Sequence, residues 1–184
     1  METIVFNVFS DGASFNNGYK DPNKPQRCAY GYTICIGNKI VRQRAKDLGD
    51  NTISFAELSG ALDVLKFCIK ILNKDKYKGL NYKINLYSDS RYVVDSINKW
   101  IYNWMRNDWC STSGKVPYKE LWEELLYIKE QYNVGIHHIK GHLPKKELNA
   151  LPEEKKFYHL MNEECDKLAK EVITEFKKTL MNEG

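Results

Sequence analysis

From Thr3 to Asp11 the chain (TIVFNVFSD) is nearly continuous apolar sequence, rich in Val, Ile and Phe. Such a run fits a strand buried on both faces, hence a central one, ending here at Asp11-Gly12. Gly18 to Gln26, with Pro22 and Pro25, reads as loop. Cys28 to Ile36 reads as a second strand and Lys39 to Leu48 as a third. The Gly37-Asn38 turn between them is too short for a parallel crossover, so the first three strands form an antiparallel meander. Ser54 to Leu72 is predicted helical, with Leu58, Leu62, Leu65, Ile69 and Leu72 as its apolar stripe and Glu57 in its first turn.

In Tyr82 to Trp104, Ile84, Leu86 and Ser88 alternate with Lys83, Asn85 and Tyr87, the period of a strand with unlike faces. The strand stops at Ser88-Asp89-Ser90. Val93, Val94, Ile97, Trp100, Ile101 and Trp104 then recur at helical spacing behind Ser90 as N-cap, with Val94, Ile97 and Trp100 expected to face the core. Asn107 to Pro117 is loop-like, Tyr118 to Tyr132 a further helix, and Gly135 to Ile139 a short final strand. Leu143 to His159 carries two prolines amid mixed lysine and glutamate. Residues 143–161 are therefore expected to be an irregular insertion before a last helix from Asn162 to Leu180. The order β-β-β-α-β-α-α-β-α predicts an α/β fold, one mixed sheet flanked by helices.

Composition narrows this little. At 184 residues the chain suits one domain with a real core and no need of disulfides. A net charge of +4 permits a polyanionic partner without demanding one. Cys28, Cys35, Cys68, Cys110 and Cys165 form an odd, widely spaced set with no CxxC pair. They read as reduced thiols in a cytoplasmic protein and argue against zinc. No apolar run reaches membrane-spanning length and the chain enters a strand almost at once, so neither a membrane partner nor a secretion signal is expected.

Four carboxylates, Asp11, Glu57, Asp89 and Asp166, are assigned to strand ends or the first turns of helices. If the first strand and the Asp89 strand are neighbours, Asp11 and Asp89 sit side by side at the carboxyl edge of the sheet, a common ligand address in open α/β folds. Carboxylates gathered there repel one another unless a hard divalent cation joins them. Each taken alone has a plainer reading: a cap or turn former for Asp11 or Asp89, a dipole-compensating residue for Glu57, a solvated helix residue for Asp166. Nothing in the spacing forces the four together.

The set as a whole resembles ribonuclease H, type 1, over nearly the whole chain. Phe9-Ser10-Asp11-Gly12-Ala13-Ser14 with Asn16-Asn17-Gly18 is similar to the family's first-strand motif. Thr52 and Ala56-Glu57-Leu58 resemble the helix that carries its glutamate. Ser88-Asp89-Ser90 with Tyr92, and then Trp100, Asn103-Trp104 and Trp109, follow in family order. Lys140-Gly141-His142 and Asn162-Glu163-Glu164-Cys165-Asp166-Lys167-Leu168-Ala169 resemble the carboxyl-terminal motifs.

The resemblance implies a five-stranded mixed sheet with a helical substrate-binding protrusion. It also implies an endonuclease that cuts the RNA strand of an RNA–DNA hybrid, leaving 5′-phosphate and 3′-hydroxyl ends. Two Mg²⁺ ions, with Mn²⁺ as the other candidate, would be held by Asp11, Glu57, Asp89 and Asp166, with Asp11 bridging both. His142 would be a mobile auxiliary residue for proton transfer or product release. Asn17 and the backbone of Gly12, Ala13 and Ser14 would meet the RNA strand. Thr52 would touch a DNA phosphate, and Arg91, Tyr92 and Trp104 would contact the substrate, the last two along a DNA-strand channel. No obligate protein partner is implied, and a monomer is expected.

Three departures from the family pattern stand out. Ile53-Ser54-Phe55 replaces the usual polar or basic residues after Thr52, and Met105-Arg106-Asn107-Asp108 makes a weakly basic protrusion. The segment between His142 and Asp166 is longer than usual and carries Lys145, Lys146, Lys155 and Lys156, either as added phosphate contacts or as a solvated loop. It also contains His159, a rival to His142. The competing functions are a hybrid-binding protein that no longer cleaves and a DNA-directed nuclease of the wider superfamily.

Overall fold

A computed structural model describes residues 3–17 and 25–182; residues 18–24, most of the segment read above as loop, lie outside the described residues. The sheet is built from β1 (Thr3–Phe15), β2 (Arg27–Ile36), β3 (Lys39–Asp47) and β4 (Asn81–Ser88). A small hairpin, β5 (Cys110–Ser111) and β6 (Gly114–Lys115), breaks the expected Asn107–Pro117 loop, and β7 (Val134–His138) completes the main sheet. Its strand order is β3-β2-β1-β4-β7. The meander is present, since β1 pairs antiparallel with β2 and β2 with β3, while β4 and β7 run parallel to β1 and β4.

β1 does not end at Asp11. Its parallel partnership with β4 stops at Phe9 opposite Tyr87, but its ladder with β2 continues to Phe15 opposite Arg27. Asp11 is thus a mid-strand residue just past the point where β4 leaves, and that departure opens space beside it.

Alternation along β1 sorts the two faces. Phe6 and Val8 join Tyr30, Tyr32, Ile34, Ile84 and Leu86 in the main core. α1 (Ile53–Leu72) covers this face, with Leu58 and Leu65 fully buried at roughly 1.5–3 kcal/mol each. Thr52 is its N-cap, so Glu57 falls in the second turn rather than the first. α4 (Lys119–Gln131) packs beside it through Trp122 and Leu125. On the opposite face, Phe9 and Cys35 meet Cys165, and Ala13 and Ala29 meet Ala169 and Ile173. These partners belong to α6 (Glu153–Asn182). Cys165 Sγ donates to the Phe9 carbonyl at 3.3 Å, fixing α6 across the middle of the sheet.

Two further expectations fail for definable reasons. The last helix begins at Glu153, not Asn162, because Pro152 supplies a helix-starting carbonyl to Lys156 N–H (2.9 Å) and Glu153 and Glu154 fill the first turn. The expected irregular insertion therefore holds a short helix, α5 (Lys145–Asn149), and the first turns of α6. This also puts Asp166 deep within a long helix.

The helix after β4 is also not uniform. α2 (Arg91–Asp95) passes through a π-helical turn at Ser96–Trp100 before α3 (Ile101–Arg106). A wide turn delays the apolar phase by about one residue. Ile97, Ile101 and Trp104 remain inward, whereas Trp100, expected in the core, is 41% exposed. Among the described residues no helix is long and apolar enough to cross a membrane.

Candidate active site

Asp11 is only 7% exposed, beside the gap where β4 departs. Its Oδ1 accepts the Gly12 N–H at 2.7 Å. Burial, and then the charges of Asp89, Asp166 and Glu57, push its carboxyl up to about 8 against the pull of that hydrogen bond. All four carboxylates therefore share one field.

Each of the other three is held by a neighbour of its own. Glu57 reaches β1 from α1, so close that a methyl group on Gly12 would lie 3.0 Å from its Cγ. Ser90 Oγ donates to Glu57 Oε2 at 2.6 Å and accepts Val93 N–H at 3.3 Å, so the N-cap of α2 also anchors the glutamate. Burial raises the Glu57 carboxyl and Asp89 adds to the effect, while the Ser90 hydrogen bond opposes both. Asp89 lies against Gly141, where a methyl group would collide with its Oδ2, and Asn162 Nδ2 donates to that oxygen at 3.4 Å. Asp166 is reached from Lys170, whose Nζ lies 2.6 Å from Oδ2, and from His142, whose Nε2 lies 3.8 Å from the same oxygen. His142 is exposed and has a left-handed backbone, φ +48°, unusual for a residue with a Cβ and common at functional sites.

Among the described residues, no three His, Cys, Asp or Glu side chains stand ready-formed around a single point. The donor set nonetheless fits a hard divalent cation. It is all oxygen, it carries more negative charge than it can hold ionised without a counter-charge, and the buried Asn162 Oδ1 beside Asp89 has no hydrogen-bond partner among the described residues.

The remaining sequence-predicted residues fall on two flanks. Asn17 follows β1, and its Oδ1 accepts Ile53 N–H at 2.9 Å, tying the strand's exit to the start of α1. Thr52 Oγ1 accepts Phe55 N–H at 3.2 Å and lies 2.9 Å from Tyr118 Oη. Ala13 turns its methyl into the core against Ala169, so only its backbone is free to serve a ligand, while Gly12 and Ser14 are half-buried. Arg91 is exposed at the start of α2.

Tyr92 and Trp104 line a groove of about 990 Å³ with Trp100, Asn103, Ser113 and Lys115. Trp104 is both core and wall: 7% exposed, it stands edge-on to the fully buried Trp122 with centroids 5.7 Å apart. Tyr92 meets Trp122 likewise at 5.4 Å. The groove and the carboxylates are joined by α2, which carries Ser90 at its cap and Tyr92 in its first turn.

The sequence singles out the four carboxylates but not all that holds them. Ser90 was visible only as a cap, Asn162 only as part of a motif, and Lys170 not at all. Their signal was helical spacing: Asn162, Asp166 and Lys170 recur every four residues on one face of α6.

The profile of the RNase H family matches residues 4–174. A ribonuclease H of Clostridium botulinum strain Hall is 31% identical over 181 residues, covering 96% of this chain and 99% of that protein. One from Rhizobium johnstonii is 37% identical over 173 residues, covering 93% of each. The solution structure of the PFV RNase H domain superposes with a TM-score of 0.65 over 92% of this chain and 96% of that one, and at 19% identity this likeness speaks to the fold alone. With a five-stranded sheet of this order and matches spanning almost its whole length, the chain belongs to the RNase H family.

Proposed function

We propose that this protein hydrolyses the RNA strand of RNA–DNA hybrids, leaving 5′-phosphate and 3′-hydroxyl ends, with two divalent cations, Mg²⁺ in the first instance. The observation that carries this reading is the placement of Asp11, buried past the end of the β1–β4 pairing in the field of Asp89, Asp166 and Glu57. A family of hybrid-cleaving nucleases and a site short of positive charge point the same way.

Asp11, Glu57, Asp89 and Asp166 would hold the cations. When bound there, these supply Lewis-acid activation of the phosphoryl group and neutralise charge on the attacking and leaving oxygens. The protein's own part is positioning. Ser90 and Asn162 hold Glu57 and Asp89 in place by hydrogen bonds to their carboxylates. His142, exposed and within 3.8 Å of Asp166, is able to accept or deliver a proton and then move away. Asn17, with its carbonyl engaged by Ile53 N–H, has an amide group that takes no partner among the described residues and would donate to the RNA strand. The backbone of Gly12, Ala13 and Ser14 lies on the same path, where 2′-hydroxyls separate RNA from DNA.

The DNA strand fits the other flank. Thr52 caps the 20-residue α1, whose amino terminus favours a phosphate. Arg91 adds charge near the Tyr92–Trp104 groove, where aromatic walls suit a nucleic-acid backbone. Cleavage assays on an RNA–DNA hybrid, double-stranded RNA and double-stranded DNA, each with Mg²⁺ and with Mn²⁺, test the reading. The expected result is cleavage confined to the RNA of the hybrid; preferential cutting of all-DNA substrates overturns it.

A further inference from the structure

The chain's long segment between His142 and Asp166 builds a second cavity, of about 340 Å³, between β7, α5 and the first turns of α6. We propose that this cavity is a subsite for one unpaired nucleotide of the RNA strand, so that hybrids with a single-stranded RNA extension bind better than blunt ones. The inference rests on the hybrid-nuclease reading and adds a substrate feature to it.

The cavity has the surfaces that an unpaired nucleotide needs. Tyr87 and Tyr158 form one wall, with ring centroids 4.7 Å apart and tilted by 34°. Tyr158 is fixed in place, its hydroxyl donating to Glu154 at 2.7 Å and accepting from Asn7 Nδ2 at 3.4 Å. Leu143 and Leu151 supply an apolar floor from the inserted segment. A rigid aromatic wall with aliphatic support is a stacking platform that accepts any base.

Its charge selects an anion. Glu147 is the one carboxylate in the lining, and Lys140 lies 3.2 Å from it. Lys155 has no ion-pair partner among the described residues, and His138 and His159 also line the space. Within the lining the surplus is one lysine, as a phosphate requires, with Glu154 outside it and engaged by the Tyr158 hydroxyl.

Its location selects the strand. His159 precedes Asp166 by seven residues, two turns along one face of α6, or roughly 10 Å at about 1.5 Å per residue. Asn162, which touches Asp89, lies between them. That distance is about three nucleotide steps at roughly 3.4 Å each. The Tyr92–Trp104 groove, assigned to DNA, opens beside α2 and α3, whereas this cavity opens along α6, so the strand that continues from the carboxylates into it is the RNA. A base already paired and stacked in a duplex has neither face free to meet an aromatic wall, which leaves an unpaired nucleotide as the occupant.

The test uses the full chain carrying Asp11→Asn, so that substrate is bound and not cut. Fluorescence anisotropy compares a short blunt hybrid with the same hybrid bearing a few unpaired ribonucleotides at its 5′ or its 3′ RNA end. One extension is expected to tighten binding roughly fivefold or more, the effect of stacking one base. Adding Leu151→Glu, which fills part of the cavity with a carboxylate that repels a phosphate, should abolish that gain while leaving blunt-hybrid affinity intact. The double variant Lys155→Ala/His159→Ala, confined to the rim, provides the same reading should the filled variant fold poorly. Equal affinity for blunt and extended hybrids, or a gain that survives both sets of changes, overturns the proposal. Failure of the unmodified chain to cut any hybrid would instead count against the nuclease reading itself.

Discussion

Lys170 lies one helical turn beyond Asp166 and holds it, Nζ to Oδ2 at 2.6 Å. The ammonium thus occupies an oxygen of a carboxylate that, on the proposed reading, would hold a cation. Lys170→Met removes this competitor and is expected to lower the Mg²⁺ concentration for half-maximal activity by about two- to fivefold, the scale of a partly exposed ion pair. A Mg²⁺ titration of hybrid cleavage checks this; an unchanged or higher midpoint contradicts it.

Asp11 gives the cation-free protein a defined pH dependence. Its carboxyl is raised to about 8 in the folded chain from an ordinary 3.8. A group raised in this way favours the folded state fully below its ordinary value, and that contribution is lost as pH rises through the folded value. In EDTA, the stability advantage of Asp11→Asn over the unsubstituted chain should therefore be small near pH 4 and grow toward pH 8. Paired thermal melts across that window measure it, and a gap that narrows with rising pH contradicts the account. Because proton and cation compete for the same carboxylate, apparent Mg²⁺ affinity should rise over the same window.

Ser90 serves two elements with one hydroxyl. Ser90→Ala removes both the hydrogen bond to Glu57 and the cap on Val93 N–H, and should cost about 1–2 kcal/mol. Ser90→Thr keeps the hydroxyl and should recover most of that loss. Denaturant unfolding of the two variants decides it.

His142, just before the inserted region, and His159, within it, separate by position. His142 stands beside Asp166, whereas His159 lines the cavity along α6. His142→Ala should lower kcat on a blunt hybrid by about tenfold or more, within the range of general acid–base contributions. His159→Ala should leave that kcat unchanged. Equal losses would remove the distinction.

Much of this arrangement was legible in the sequence where its cause is local. Alternation through Ile84, Leu86 and Ser88, the Gly37-Asn38 turn and the stripe of α1 each reflect neighbours within a few residues. The position of Asp11 was less legible, because the end of the β1–β4 pairing depends on β4, some seventy residues on. Trp100 was misplaced because the π turn at Ser96–Trp100 breaks the 3.6-residue phase on which the prediction rests. The early start of α6 did leave a signal, Pro152 followed by Glu153 and Glu154, hidden by the polar character of its first turns.

The candidate site divides in the same way. The four carboxylates stood out through the family resemblance, since no periodicity links residues so far apart. Their supports, Ser90, Asn162 and Lys170, needed the packing of α1, α2 and α6 around one sheet edge to acquire meaning.

Whether the carboxylates around Asp11 hold the cations for cutting RNA in a hybrid is decided with Asp11→Asn. Cleavage and affinity are measured on one labelled RNA–DNA hybrid with Mg²⁺. The unsubstituted chain is expected to cut the RNA strand and Asp11→Asn to lose about a hundred- to a thousandfold in rate, the scale of catalytic electrostatic terms, while binding the hybrid as before. Cleavage that persists in Asp11→Asn, or that proceeds equally in EDTA, would contradict that role for the carboxylates.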